Sequence, residues 1–200
     1  MSSKSEQIEL IKSSLKTHKD LFSDMDALLT GLYQVIETIS NSILEGNKII
    51  WLGNGGSAAQ SQHFSAALVG RFNMERDPIS SLSLSSDMAC VTAIGNDYGF
   101  SEIYSRQIGS ICQPNDIVVC ISTSGNSENV LKAAAQSQKM GALVVALTGN
   151  DGGELAKVSD LSIIVPSSDT ARIQEVHLWI GHTICECVEM KVSNRNLHVK

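Results

Sequence analysis

The run Ser122-Thr123-Ser124-Gly125-Asn126-Ser127 puts four hydroxyl side chains into six residues, directly after the apolar stretch Ile117-Val118-Val119-Cys120-Ile121. A phosphate group favours such a place. Its oxygens want several O–H and N–H donors, close approach of the backbone and the positive end of a helix. Gly53-Asn54-Gly55-Gly56-Ser57 follows Ile49-Ile50-Trp51-Leu52 in the same way. There glycine removes the Cβ that would block a ligand, and Ser57 adds a donor. Either turn alone also fits an ordinary strand-to-helix connection with a serine N-cap. Two in one chain point to two grips on a phosphorylated ligand. Neither turn has the GxGxxG spacing of a dinucleotide site, and no Gly-Lys-Ser/Thr follows either, as an ATP-type phosphate loop requires.

Imidazoles supply the second kind of chemistry. His63 lies in the helix expected after the first turn, and His177 and His182 lie on the last expected helix together with Gln174. Such groups move protons near neutral pH or bind metal, whereas a lone helical histidine is as readily a partly buried polar residue. Asn96-Asp97, between Gly95 and Tyr98, is either a simple turn or an amide and a carboxylate holding sugar hydroxyls. Arg172 and Glu175 are either helix-surface residues or ligand contacts. His18 and His198 stand in regions with no motif. Cys185-Glu186-Cys187 is a poor metal half-site, because residues two apart on a helix point to different faces.

The elements that must position these groups alternate along the chain. Residues 5–46 read as a helical region, with Leu28, Leu32, Val35, Ile36, Ile39 and Ile43 on one face and Ile8, Ile11 and Leu15 on another segment. That surface is more than a lone helix shelters, so it is expected to pack on the domain or on a second subunit. Strands are predicted at 48–52, 79–84, 116–122, 142–148 and 161–165. Helices are predicted at 57–71, 87–95, 102–111, 128–139, a short one from 151, and 171–190, with a loosely held tail over 192–200. Short continuous apolar strands between helices predict an α/β fold: a doubly wound, mostly parallel sheet covered on both faces. Ligands of such sheets bind outside the carboxyl ends of the strands, where both turns fall.

Bulk composition narrows the class. Two hundred residues with 42% hydrophobic and 18% charged side chains read as one globular domain with a real core. A net charge of −6 argues against a broad nucleic-acid surface. No apolar stretch approaches membrane-spanning length, and the first residues lack a secretory apolar core. Five cysteines, an odd number, fit small buried residues in a reducing cytosol. A cytoplasmic protein without membrane or nucleic-acid partners is expected.

Taken in order, Gly53-Asn54-Gly55-Gly56-Ser57, His63-Phe64, Gly70-Arg71-Phe72, Gly95-Asn96-Asp97-Tyr98-Gly99-Phe100, Ser122 to Ser127, Leu147-Thr148-Gly149, Asp151-Gly152-Gly153, and Arg172-Ile173-Gln174-Glu175 with His182 resemble the sedoheptulose 7-phosphate isomerases. These phosphoheptose isomerases have the sugar isomerase (SIS) fold, and the resemblance covers almost the whole chain. It implies a cytoplasmic homotetramer of single SIS domains, residues 1–200 here. The implied reaction turns sedoheptulose 7-phosphate into D-glycero-D-manno-heptose 7-phosphate for the heptose of lipopolysaccharide or other bacterial surface glycans. By the same resemblance Asn54, Gly55, Gly56, Ser57, Asn96 and Asp97 line the substrate pocket. Ser122, Thr123, Ser124 and Ser127 match the phosphate cradle, and Gln174 matches a substrate and metal contact. His63, Gln174 and His182 match zinc-site positions, with His182 the catalytic histidine.

One position departs from the pattern. The family carries a glutamate four residues after the first motif histidine, serving as base and metal ligand; here that position is Ala67. Aldose–ketose isomerisation moves a proton between C1 and C2 through an enediol and needs a positioned base and acid. Alanine is neither. Impaired turnover and weakened zinc binding are the expectation, whether the change is natural or engineered. Two other readings compete: a non-catalytic SIS protein of the replication-initiator-associating type, and a sugar-phosphate sensor or isomerase for another sugar phosphate.

Overall fold

The computed structural model describes residues 3–197; His198 lies outside them. Five strands form one sheet: β1 (Ile49–Gly53), β2 (Ser81–Ser83), β3 (Ile117–Ser122), β4 (Leu143–Gly149) and β5 (Leu161–Val165). Their order is β2-β1-β3-β4-β5, and every pairing is parallel, so the sheet is wholly rather than mostly parallel. The chain steps from β1 outward to β2, then returns to the other side of β1 for β3. The winding therefore reverses between β1 and β3, which is where sheets of this order open a crevice for ligand. Both glycine/serine turns leave the sheet there.

The apolar runs are strands because both their faces are buried. Ile49, Trp51, Ile117, Val119 and Ile121 face one core, and Ile50, Leu52, Val118 and Cys120 face the other. The first core is closed by α2 (Asp26–Leu44), α3 (Gly56–Val69) and α8 (Thr170–Leu197), through Ile39, Phe64, Ile180 and Ile184 among others. The second is closed by α5 (Ser105–Ile111), α6 (Glu128–Lys139) and α7 (Gly153–Val158), through Ile108, Val130, Ala133 and Leu155. The remaining helix of the sheet edge, α4 (Met88–Tyr98), buries no residue.

Several boundaries differ from expectation. The N-terminal region is two helices, α1 (Lys4–Phe22) and α2, because the chain breaks at Ser23 and turns Met25 into the core. A reciprocal Ser3–Glu6 capping box starts α1. The helix expected over 102–111 begins only at Ser105, after a single 3-10 turn at Phe100–Glu102. The last helix does not stop near 190. No glycine or proline stands between His182 and Leu197, Val192 packs on the core, and Lys191 pairs with Glu37 of α2, so α8 continues to Leu197. The stretch expected to be loose is therefore helical as far as it is described. No described helix is long and apolar enough to cross a membrane. Cys112, Cys120 and Cys185 are buried, Cys90 and Cys187 half-buried, and all are free thiols.

Candidate active site

The first turn is shaped by close packing at Gly53. A Cβ on Gly53 would stand 2.7 Å from the Ser57 Cβ and 2.8 Å from the Ile121 carbonyl oxygen. Only glycine lets β1 turn into α3 this close to β3. The Gly53 carbonyl accepts hydrogen bonds from the buried hydroxyls of Tyr104 and of Ser85, the latter at 3.4 Å. Gly55, at φ +55°, is the N-cap of α3. Gly56 lies under Gln174, whose Nε2 would be 2.7 Å from a Cβ there. Gln174 is steadied in turn by Gln60, whose Nε2 donates to its carbonyl at 2.7 Å.

The second turn rests on the loop after β4. Gly125, at φ +65°, meets Gly152 so closely that a Cβ would stand 2.0 Å from the Gly152 carbonyl oxygen. The Leu155 N–H donates to the Gly125 carbonyl at 2.9 Å, and the Gly149 N–H donates to that of Thr123 at 3.1 Å. Ser127 is the N-cap of α6, yet its hydroxyl caps no backbone N–H. It stands 3.3 Å from Ser122 Oγ instead. The Val130 N–H bonds the Ser127 carbonyl at 3.0 Å, which leaves the N–H groups of Glu128 and Asn129 at the start of α6 for an anion.

Together the turns enclose a cavity of about 70 Å³ lined by Asn54, Ser57, Ile121, Ser122, Thr123, Ser127 and Gln174. Six of these seven are predicted substrate residues. Its size suits one small oxyanion rather than a whole sugar, for which sites of several hundred cubic ångström are usual. Ser124 sits exposed on the rim, its Oγ accepting from the Asn126 N–H at 3.2 Å. Asn96 and Asp97 are not brought to this cavity. They lie exposed on the last turn of α4, with Asn96 Nδ2 donating to Asp97 Oδ1 at 2.8 Å.

Eight residues along α8 from Gln174, about 12 Å by the rise of a helix, stands His182. Its Nε2 lies 2.7 Å from Nε2 of His63. Gly181 makes this meeting possible: a Cβ there would fall 2.1 Å from the Phe64 ring, so the bare glycine lets α8 close onto α3. One imidazole of the pair must donate and the other accept. Partial burial, and then the neighbouring His63, lower the pKa of His182, which favours its neutral, proton-accepting form. Ala67, one turn beyond His63, offers this pair only a methyl group; Arg76 Nη2 bonds its carbonyl at 3.1 Å. Among the described residues no three His, Cys, Asp or Glu side chains gather as a metal site. Two neutral imidazoles, with the Gln174 amide as the remaining predicted ligand, fit zinc only as a weak site.

Other candidates prove structural. His177 is fully buried, donating from Nε2 to the Thr148 carbonyl at 3.0 Å, and faces the core rather than the crevice. Arg172 and Glu175 clasp α1: Glu175 bonds His18 Nδ1 and Arg172 Nη2, both at 2.7 Å, and Arg172 Nη1 donates to the Ser14 carbonyl at 2.9 Å. Sequence reasoning missed Tyr104, Ser85 and Asn129. Asn129 alone carried a local signal, since it stands in the first turn of the helix that Ser127 begins.

The SIS domain family matches residues 15–149. The chain is 46% identical over 180 residues to the phosphoheptose isomerase of Campylobacter concisus, covering 90% of this chain and 95% of that one. It is 44% identical to that of Helicobacter pylori, covering 94% and 98%. This chain belongs to the phosphoheptose isomerase family. Among solved structures, the phosphoheptose isomerase of Francisella tularensis superposes with a TM-score of 0.90 at 34% identity, covering 92% of this chain and 98% of that one. As a phosphoheptose isomerase family member the chain is of the aldose–ketose isomerase class.

Proposed function

We propose that the chain binds sedoheptulose 7-phosphate and interconverts it with D-glycero-D-manno-heptose 7-phosphate, slowly, because Ala67 stands where a catalytic carboxylate belongs. The cavity between the two turns carries this reading. Hydroxyls of Ser57, Ser122, Thr123 and Ser127, with the N-terminus of α6, form a donor set for a phosphate. The distance of two helical turns from there to His182 suits a long sugar chain, with its phosphate at one end and its carbonyl at the other. Asn54 and Gln174 are placed to meet hydroxyls near the phosphate end.

In the ketose-to-aldose direction a proton leaves C1, an enediol forms, and a proton returns at C2. His182, kept neutral, is the group we assign to proton transfer; His63 orients it and passes or receives the proton they share. A methyl group at position 67 supplies no second base. Zinc, if held weakly by the His63 and His182 imidazoles, would polarise the sugar carbonyl; Gln174, the third ligand the resemblance implies, would have to reach toward it from the phosphate end. We place the protein in the cytoplasm, in bacterial surface-heptose synthesis, as a homotetramer. The exposed apolar residues Ile8, Leu10, Ile11 and Leu15 of α1 support self-association, since α1 buries no residue within the chain.

Ala67 also favours a second reading, a protein that binds the sugar phosphate without converting it. An isomerisation assay on the chain and on Ala67→Glu separates the two. Recovery of turnover in Ala67→Glu supports the isomerase. If neither converts the sugar while both bind it, the isomerase reading is wrong.

A further inference from the structure

Asn54 and Asn129 face each other across the crevice between the two turns, 75 positions apart in the chain. Asn54 Nδ2 donates to Asn129 Oδ1 at 2.8 Å, and Asn129 Nδ2 donates to Asn54 Oδ1 at 2.8 Å. The two amides thus form a closed reciprocal pair. Asn129 is only 2% exposed, while Asn54 lines the cavity beside Ser122, Thr123 and Ser127. Resting on the sugar-phosphate reading above, we propose that Asn129 is a positioning residue, which fixes the Asn54 amide and the gap between the turns so that Asn54 meets the bound sugar phosphate.

The chemistry of the pair supports this. An amide has two N–H donors and a carbonyl with two lone pairs. The reciprocal bond uses one donor and one lone pair of Asn54. It leaves one N–H and one lone pair in a fixed plane for the ligand. Without Asn129 the Asn54 side chain would turn freely and pay rotamer entropy on binding. The link also spans the two halves of the site: Asn54 stands on the turn after β1, and Asn129 on the first turn of α6. No other side-chain pair joins these two segments so directly among the described residues, and both members are uncharged, so the link adds no repulsion toward a phosphate.

The test is calorimetric titration of sedoheptulose 7-phosphate into the unaltered chain, Asn129→Ala, Asn54→Ala and the double variant. Asn129→Ala is expected to weaken binding about tenfold, and the double variant to bind no worse than Asn54→Ala, because Asn129 acts through Asn54. Losses that multiply, or an Asn129→Ala that binds like the unaltered chain, overturn the proposal alone. Absence of binding to the unaltered chain overturns the sugar-phosphate reading itself. Asn129→Leu, which keeps the size of the side chain but removes both hydrogen bonds, guards against a packing loss in the alanine variant. It is expected to weaken binding about as much as Asn129→Ala. A leucine variant that folds and binds like the unaltered chain contradicts the reciprocal bond as the source of the effect.

Discussion

Mild acid should destabilise this protein through His177. His177 is sealed between α8 and the end of β4, its Nε2–H bonded to the Thr148 carbonyl and its Nδ1 buried without a partner. Burial drives its pKa down to about 4, with the bond to Thr148 opposing the shift. In the unfolded chain the same ring titrates at about 6.5. Above that value both states are neutral there and His177 contributes no pH dependence. Below it the unfolded chain takes up a proton that the folded one refuses, so stability falls as the pH falls. The slope approaches about 1.4 kcal/mol per pH unit, and the loss between about pH 6.5 and about pH 4.5 integrates to about 2 kcal/mol. Urea unfolding at a series of pH values measures it, with His177→Gln as the reference, since glutamine keeps a donor for Thr148 without the titration. Equal pH dependence in the two proteins over that window would refute the assignment of a neutral, buried His177.

Three shorter predictions follow from the packing. Gly125→Ala forces a Cβ to within 2.0 Å of the Gly152 carbonyl oxygen at a φ of +65°; it should cost about 1–2 kcal/mol from the left-handed backbone alone and abolish sugar-phosphate binding by titration. Glu189 is buried, and although burial pushes its pKa up, the N–H groups of Phe72, Asn73 and Met74 and the Arg76 guanidinium hold it below the ordinary value. That contribution is complete at neutral pH and vanishes only as acid protonates the carboxylate, so Glu189→Gln should cost about 3 kcal/mol at pH 7 by denaturant unfolding, leaving the Arg76 charge buried. Ile11→Glu with Leu15→Glu should lower the mass seen by light scattering if α1 joins subunits, and leave it unchanged if it does not.

The fold was legible in the sequence where burial is symmetric. β1, β3 and β4 are covered on both faces, so their sequences are unbroken apolar runs ended by glycine or serine turns. The edge strand β2 is only Ser81–Ser83, and polar residues around it blurred its limits. The break between α1 and α2 has no glycine or proline to announce it. In the site, residues carried by the two turns converged, because local chemistry and strand-end position agree there. Asn96 and Asp97 were legible as a motif but stand apart from the cavity in the isolated chain. Asn129, Tyr104 and Ser85 escaped notice because their partners, Asn54 and the Gly53 carbonyl, come from distant segments. His177 and His182 stand five residues apart on one helix, and only the packing of α8 turns one into the core and the other toward His63.

The central claim is that the two turns grip a sugar through its phosphate. Titration of the unaltered chain with sedoheptulose 7-phosphate, and in parallel with sedoheptulose lacking the phosphate, tests it directly. Saturable binding of the phosphate ester, with the free sugar weaker by at least about tenfold (about 1.4 kcal/mol), is the predicted result. Equal affinities for the two sugars, or no binding of either, would contradict it.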